Sequence, residues 1–261
     1  MLESEGTPKL IFFNNIYNRE GIIHFVSTRI GGISNHPFSS LNLGYSTGDR
    51  KDFVDKNWQL VKNRLNISGP FHHIILNQIH SDIIIEINNS SKLKNSNNLK
   101  GDAIITNIKR VLINVLTADC VPVLLYDPVK SVIATIHAGW RGTAKRIVIK
   151  TVLAMKENFQ SSAKNILACI GPSIGPCCYE VKDDVSSVFL PDYPESVEVR
   201  KGKTYLNLVS IVKDQLIIEG LSEGNIETSN ICTKCNSHIF YSSRAAGNLP
   251  TGRFATGIML V

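Results

Sequence analysis

The middle of the chain carries a succession of short segments rich in β-branched and other aliphatic residues, and these limit the fold more than any other feature. Val, Ile and Thr favour strands, and short apolar runs bounded by turn residues are typical of strands buried in a sheet. The predicted strands lie at residues 73–79, 83–87, 103–106, 111–116, 121–126, 132–137 and 167–170. The fold is therefore expected to be built around sheets.

Helical periodicity follows and precedes these strands. Apolar residues recur at intervals of three and four in segments 52–65, 143–157, 183–189 and 207–219, which predicts four helices. Closing strands are predicted at Phe240 and over residues 254–261, and the Asn-, Ser- and Lys-rich tract 88–100 is predicted to be an exposed loop. The alternation of strands and helices, with neither a repeat nor a linker, indicates one mixed α/β domain.

Composition excludes several classes of protein. In 261 residues, 43% are hydrophobic and 19% are charged, which describes a globular protein with a sizeable core. No apolar run reaches 18 residues and the N-terminus lacks signal-peptide features, so a cytoplasmic protein without membrane spans is expected. The six cysteines are too sparse for a disulfide scaffold. Despite a net charge of +6, no segment interleaves basic with aromatic residues, so nucleic acid is not an expected partner.

Three potential metal ligands each lie at the end of an apolar run: His80, Cys120 and His137. Two imidazoles and one thiolate make the three protein ligands that a catalytic zinc ion keeps, with a fourth position open. Sequence alone does not bring them together, and only the strands carrying Cys120 and His137 are expected to be neighbours, because a tight Asp127-Pro128 turn joins them. The alternative is a buried cysteine and two histidines that only make hydrogen bonds.

A second candidate site follows His137, where Gly139-Trp140-Arg141-Gly142 joins a strand to a helix. A helix N-terminus presents free N–H groups to an anion, and the guanidinium of Arg141 suits phosphate. The pattern is not a P-loop. The alternative is an ordinary turn with a surface arginine.

Several other polar residues are candidates for substrate contacts. Arg29 could bind phosphate or a carboxylate, and Asn42 and Gln78 could bind a sugar hydroxyl or a base edge, although Arg29 and Asn42 could equally stabilise loops. Arg244, in a glycine-rich C-terminal stretch, could line a pocket. Asp119 could orient a histidine or cap a helix.

The remaining cysteines form no complete metal motif in the sequence. Cys177 and Cys178 are adjacent, and adjacent cysteines rarely bind one metal ion together, so they are expected in the core or lining a cavity. Cys232 and Cys235 form a single Cys-x-x-Cys pair, which lacks further ligands unless His238 supplies one.

Seven segments of this chain together resemble the YfiH-type family, also called the multicopper polyphenol oxidase or laccase-domain family. They are HFVSTRIGG at residues 24–32, LNLG at 41–44, QIH at 78–80, ADCVP at 118–122, HAGWRG at 137–142, IGPSI at 170–174 and TGR at 251–253. The resemblance covers the chain from about residue 20 to its end. One departure is Ser243, where the family tends to have an aromatic residue, often with a second arginine after Arg244.

The resemblance implies a layered α/β/β/α domain at residues 20–261, with residues 1–19 as an extension. It implies zinc bound by His80, Cys120 and His137, and catalysis that involves Cys120, His137 and Arg141. It also implies phosphorolysis of adenosine, inosine, guanosine and methylthioadenosine, with adenosine deamination as a companion activity. Purine nucleosides and phosphate are the expected partners, and the chain is expected to be a monomer or a weak homodimer.

Two other enzyme classes and a non-enzymatic nucleoside-binding module remain as alternatives. Thiolate and imidazole also suit copper, and an older interpretation of the family is copper-dependent phenol oxidation. A multicopper centre, however, needs several histidine-rich clusters, whereas this chain has seven histidines in all. The second alternative is a hydrolase with Cys120 as nucleophile and His137 as base.

Overall fold

The computed structural model describes residues 1–3, 6–89, 93 and 99–261, and these form two large mixed sheets covered by helices. The strands are β1 (Leu2–Glu3), β2 (Leu10–Phe12), β3 (Ile22–Ser27), β4 (His72–Ile75), β5 (Ile84–Ile87), β6 (Ala103–Thr106), β7 (Val111–Thr117), β8 (Val121–Asp127), β9 (Val132–Ala138), β10 (Leu167–Ile170), β11 (Glu180–Val181), β12 (Val197–Arg200), β13 (Lys203–Leu206), β14 (Ile226–Thr228) and β15 (Phe254–Leu260). The helices are α1 (Lys51–Arg64), α2 (Trp140–Ala144), α3 (Ile147–Phe159), α4 (Asp183–Phe189), α5 (Leu208–Ile218) and α6 (Ser243–Ala246), with 3₁₀ turns at Pro194–Ser196 and Glu223–Asn225.

The predicted α/β class with mixed sheets is confirmed. The first sheet has the strand order β1-β2-β3-β15-β7-β4 and the second has the order β14-β10-β8-β9-β6-β5. Within them β4/β7, β5/β6 and β10/β14 are parallel pairs, and the other neighbours are antiparallel. A small third sheet has the order β11-β13-β12.

The two large sheets form the inner layers and helices cover their outer faces. On β9, Ile133 packs in the core shared by both sheets, whereas Ala134 and Ile136 pack in the core beneath α3 and α5. This division follows from the strand geometry, because successive side chains point to opposite faces. On the other side, Trp58 of α1 is buried against the first sheet. The layers are therefore α/β/β/α.

Two predictions about elements need correction. The helix predicted at 143–157 begins at Trp140 and is divided in two, because Arg146 adopts a left-handed conformation with φ 62° between α2 and α3. Phe240 lies outside any strand. The short strands β1, β2 and β11–β14 were not predicted, and most of the loop predicted at 88–100 (residues 90–92 and 94–98) lies outside the described residues.

β1 and β2 extend the first sheet beyond β3, so described residues before position 20 contribute to a sheet. The proposed domain boundary at residue 20 stays a prediction. In the described ranges, no helix is both long and apolar enough to cross a membrane.

Strand register determines which residues meet at one end of the central strands β6, β8 and β9 of the second sheet. Ala103 on β6 lies opposite Ile136 on β9, so Asp102 is placed beside His137. Pro122 on β8 lies opposite His137, so Cys120 arrives at the same end.

Candidate functional site

The structure brings His80, Cys120 and His137 together. Their donor atoms all lie within 4.8 Å of one another. The Cys120 Sγ lies 3.9 Å from the His80 Nε2, and the two imidazole rings are 4.8 Å apart in an edge-to-face arrangement. His80 is exposed and His137 is buried, so the group opens to solvent on the His80 side.

Asp102, which sequence analysis did not identify, holds two of these residues in place. Its Oδ1 accepts hydrogen bonds from the backbone N–H of His80 at 3.0 Å and from the His137 Nδ1 at 2.8 Å. Its Oδ2 accepts from the N–H and hydroxyl of Ser81 at 2.6 and 2.7 Å. A carboxylate can only accept these bonds, so the proton of neutral His137 is on Nδ1 and its Nε2 has a free lone pair.

Asp119 does not orient a histidine. Its carboxylate accepts from the Thr233 hydroxyl at 2.6 Å and from the backbone N–H of Arg244 at 2.7 Å, in the first turn of α6. Asp119 therefore ties the C-terminal region to the segment that carries Cys120. The role expected of it in orienting a histidine belongs to Asp102, because the Asp102 carboxylate accepts from the His137 ring, whereas both oxygens of the Asp119 carboxylate bond to the C-terminal region.

Mutual electrostatics activate the thiol. Burial would raise the pKa of Cys120, but His137 and His80 outweigh it and lower the pKa of the thiol to about 6. Burial would lower the pKa of His137, but the Cys120 thiolate and Asp102 raise it. For Asp102, burial is opposed by hydrogen bonds from His137 and Ser81, which lower its pKa to about 2. Cys120 is therefore held as a thiolate near neutral pH.

This donor set fits a metal ion that prefers nitrogen and sulfur. A thiolate from the residue before β8, an imidazole with a free Nε2 near the end of β9 and a second, exposed imidazole from the loop after β4 converge. The strand predicted at 73–79 ends at Ile75, so His80 does not lie at a strand end. Gly139 leaves the necessary room, since a Cβ there would lie 3.1 Å from the Cys120 Sγ and 3.2 Å from the His80 Cδ2. Zinc with three protein ligands and an open position matches this set.

The three residues lie at the wall of an open cleft with a volume of about 1230 Å³. Three guanidinium groups also line it, from Arg141, Arg244 and Arg253. Two aromatic rings, Trp140 and Tyr179, stack with the first two of these, at 4.4 Å and 5.3 Å from the ring centres. The cleft therefore combines flat apolar surface with positive charge.

At the start of the helix after His137, where an anion site is predicted, the structure offers the Arg141 side chain for this role and not a substantial helix dipole. α2 has only 5 residues, which is too short for a substantial dipole. Arg141 itself is exposed and lines the cleft. Gly142 is required for a different reason, because a Cβ there would lie 2.9 Å from the Ser81 carbonyl oxygen.

Of the other predicted substrate contacts, Gln78 and Arg244 line the cleft. The Gln78 amide also pairs with the backbone of Leu116 through two 2.8 Å hydrogen bonds, which fixes its orientation at the cleft wall. The Arg244 guanidinium donates to the Glu180 carbonyl at 2.7 Å. Ser243, at the departure from the family pattern, also lines the cleft.

Arg29 and Asn42 are not among the residues that line the cleft. The Arg29 guanidinium donates to the carbonyls of Ser39 and Ser237 and stacks on Tyr241. Asn42 is fully buried; its side-chain NH₂ group donates to the Asp49 carboxylate, and its side-chain oxygen accepts from the backbone N–H of Arg253. Both side chains hold loops together, so this geometry gives no support to their prediction as substrate contacts.

Comparisons with known proteins agree with this architecture. The family model described as multi-copper polyphenol oxidoreductase laccase matches residues 23–261. A Bacteroides thetaiotaomicron protein named purine nucleoside phosphorylase is 34% identical over 271 residues, covering 100% of this chain and 99% of that protein. The Bacillus subtilis purine nucleoside phosphorylase YlmD is 34% identical, covering 88% of this chain and 85% of its own. The crystal structure of Bacillus licheniformis YfiH superimposes with a TM-score of 0.84 at 32% identity, covering 92% and 93% of the two chains.

Proposed function

The chain belongs to the multi-copper polyphenol oxidoreductase laccase family, and on that premise we propose that it is a purine nucleoside phosphorylase. The observation that carries the proposal is the cleft, where His80, Cys120 and His137 share one wall with Arg141 and Arg244. The curated relatives that cover nearly all of this chain bear the same activity in their names.

Phosphorolysis requires phosphate and a nucleoside to be held side by side. A phosphate oxygen bonds to C1′ of the ribose as the bond from C1′ to the base breaks, and the base leaves as the free purine. Arg141, Arg244 and Arg253 supply cationic donors for phosphate. Trp140, which is half-buried at the cleft, offers aromatic surface for a purine, whereas Tyr179 is buried. Holding both reactants in one geometry removes much of the entropic part of the barrier.

Zinc is the metal that we propose for this site, held by His80, Cys120 and His137. When bound, it would supply Lewis acidity toward a substrate oxygen or a water molecule. In the neutral His137 ring, the hydrogen bond from Nδ1 to Asp102 leaves the Nε2 lone pair for the metal, and the lowered pKa of Cys120 keeps a thiolate available at neutral pH. We propose adenosine, inosine, guanosine and methylthioadenosine as substrates, with deamination of adenosine as a side activity.

A hydrolase reaction that uses Cys120 as nucleophile is a second candidate, because the chain also contains the arrangement such a reaction requires. Cys120 and His137 interact, and His137 donates to the buried Asp102. A cysteine with lowered pKa, a histidine and an orienting carboxylate form a nucleophilic triad. Copper-dependent phenol oxidation has less support, because only two histidines converge on Cys120 among the described residues.

A substrate panel separates these candidates. Zinc-loaded protein is incubated with each nucleoside, with and without phosphate, and the products are separated by chromatography. Free base that appears only with phosphate supports the proposal, and inosine from adenosine supports the side activity. Turnover that is independent of metal, abolished by alkylation of Cys120 and indifferent to phosphate would instead support the hydrolase. Phenol oxidation by copper-loaded protein without nucleoside turnover would contradict both.

A further inference from the structure

Four cysteines outside the cleft meet at one point on the surface. Cys177 and Cys178 lie in the turn that follows β10, and Cys232 and Cys235 lie in the loop that follows β14. A parallel bridge between Ser173 and Cys232 joins the two segments. Of the two positions expected for the adjacent pair, the core is wrong, because Cys177 is exposed and Cys178 is half-buried, whereas both line a surface cavity. The sequence did not indicate that the bridge brings this pair to Cys232 and Cys235.

Their four sulfur atoms all lie within 4.8 Å of one another. The Cys235 Sγ is 3.6 Å from the Cys177 Sγ and 3.4 Å from the Cys178 Sγ. Four sulfurs arranged tetrahedrally at about 2.3 Å from a zinc ion are separated by about 3.8 Å, close to these distances. A disulfide would need about 2.05 Å, and all four thiols are free.

The surrounding backbone is shaped for this cluster. The N–H of Gly175 donates to the Cys232 Sγ at 3.3 Å, a bond that stabilises a thiolate. A side chain at Gly175 would crowd the site, since its Cβ would lie 3.2 Å from the Cys232 Cβ and 3.4 Å from the Cys177 Sγ. The turn hydrogen bonds from the N–H groups of Cys178 and Tyr179 to the Gly175 carbonyl direct both adjacent cysteines toward Cys235.

We propose that Cys177, Cys178, Cys232 and Cys235 bind a second metal ion, a structural zinc ion. Four thiolates are a closed ligand set, which is typical of structural zinc, whereas the cleft set leaves a position open. Each thiol releases its proton to solvent on binding, and the complex carries two negative charges beside Lys234. Cys177 and Cys235 are exposed, which gives the ion an entry path.

The second ion has a consequence for the cleft. Thr233, next to Cys232, donates to Asp119, which directly precedes Cys120. Tyr179, next to Cys178, lines the cleft. The zinc ion would therefore stabilise the positions of Asp119 and Tyr179 at one wall of the cleft without taking part in the reaction. The inference does not depend on the proposed enzyme activity.

The test counts metal in a background that lacks the cleft ligands. His80→Ala/Cys120→Ser removes two of those ligands and keeps the buried pair of His137 with Asp102. After zinc loading and desalting, this background is expected to retain one equivalent of zinc per chain by mass spectrometry. Adding Cys235→Ser should remove that zinc, whereas adding Cys169→Ala, a buried cysteine bonded to Asn15, should not. If the His80→Ala/Cys120→Ser protein retained no zinc after desalting, the proposal would be overturned.

Cobalt substitution separates loss of metal from misfolding. The same background loaded with cobalt(II) should show the intense visible bands and sulfur-to-metal charge transfer of a tetrahedral tetrathiolate, and its four cluster thiols should resist a thiol reagent until a chelator is added. A weak spectrum of cobalt bound by oxygen, or two disulfides found in the isolated chain, would show that the cluster is not a metal site.

Discussion

Replacing Asp102 with asparagine tests whether one buried carboxylate organises the site. Asp102 is fully buried and accepts hydrogen bonds on both oxygens, from the His137 ring and the His80 N–H on one and from Ser81 and the Ile79 N–H on the other. The introduced asparagine would present one NH₂ group in place of an acceptor. Whichever way this amide turns, it opposes at least one backbone N–H.

The magnitude follows from the bonds that are lost. A hydrogen bond to a charged acceptor contributes about 1.5–3 kcal/mol, and a buried donor left facing another donor adds a desolvation cost. With two N–H groups displaced, Asp102→Asn should lower the free energy of unfolding by about 3–5 kcal/mol. If the NH₂ group faces His137, the ring must accept at Nδ1 and carry its proton on Nε2, which removes a metal ligand. Zinc affinity should then fall about 10- to 100-fold.

The assays are urea unfolding of the metal-free protein and calorimetric titration with zinc, the latter in a Cys235→Ser background that removes the four-cysteine set. Asp127→Asn is the matched control, because Asp127 is also fully buried but its Oδ1 alone accepts from Val129 and Lys130, and its Oδ2 has no partner among the described residues. In the control, the free energy of unfolding should fall by about 1 kcal/mol or less, and the zinc affinity should be unchanged. If Asp102→Asn behaved like this control in both assays, the organising role of Asp102 would be refuted.

Three further outcomes are expected. Arg141→Ala should raise the KM for phosphate about tenfold to a hundredfold. Its melting temperature should be unchanged, because the side chain is exposed. The control Lys145→Ala, outside the cleft lining, should change neither the KM nor the melting temperature. Cys120→Ser should retain one equivalent of zinc fewer than the wild type after desalting, because serine offers no thiolate, and an unchanged zinc content would contradict the ligand assignment. His24 is buried with its pKa lowered to about 4, so the unfolded chain binds a proton below pH 6.5 that the folded chain refuses until about pH 4. Between pH 7 and pH 5 the unfolding free energy should therefore fall about 2 kcal/mol more in the wild type than in His24→Gln, as measured by urea titration.

The strands that frame the site were predictable because their physical signal is local. The run at 103–106 matches β6 in both bounds, and α1 differs from its predicted segment by one residue at each end. The break between α2 and α3 was not predictable, because a single left-handed arginine has no pattern of its own in the sequence. Short strands such as β12 and β13 carry too few apolar residues to show a clear period.

The site was predictable as three residue types, but not as a geometry. Cys120 and His137 meet because of the antiparallel register between β8 and β9, and His80 joins them because Asp102, just before β6, accepts its backbone N–H. Sequence specifies neither contact. Asp102 was missed, although the Gly-Asp pair before a buried strand was a usable signal. The four-cysteine cluster depends on a bridge between Ser173 and Cys232. Because these residues are far apart in the sequence, the spacing of the cysteines does not predict the cluster.

Phosphorus NMR of zinc-loaded protein with inosine and inorganic phosphate distinguishes phosphorolysis from every alternative reaction. The phosphate signal should decay as a ribose 1-phosphate signal grows, in equal amount to the hypoxanthine released. The His80→Ala/Cys120→Ser variant should leave the phosphate signal unchanged. Hypoxanthine that appears without any sugar phosphate, or no change with wild-type protein confirmed to hold zinc at the cleft ligands, would contradict the assignment of phosphorolysis.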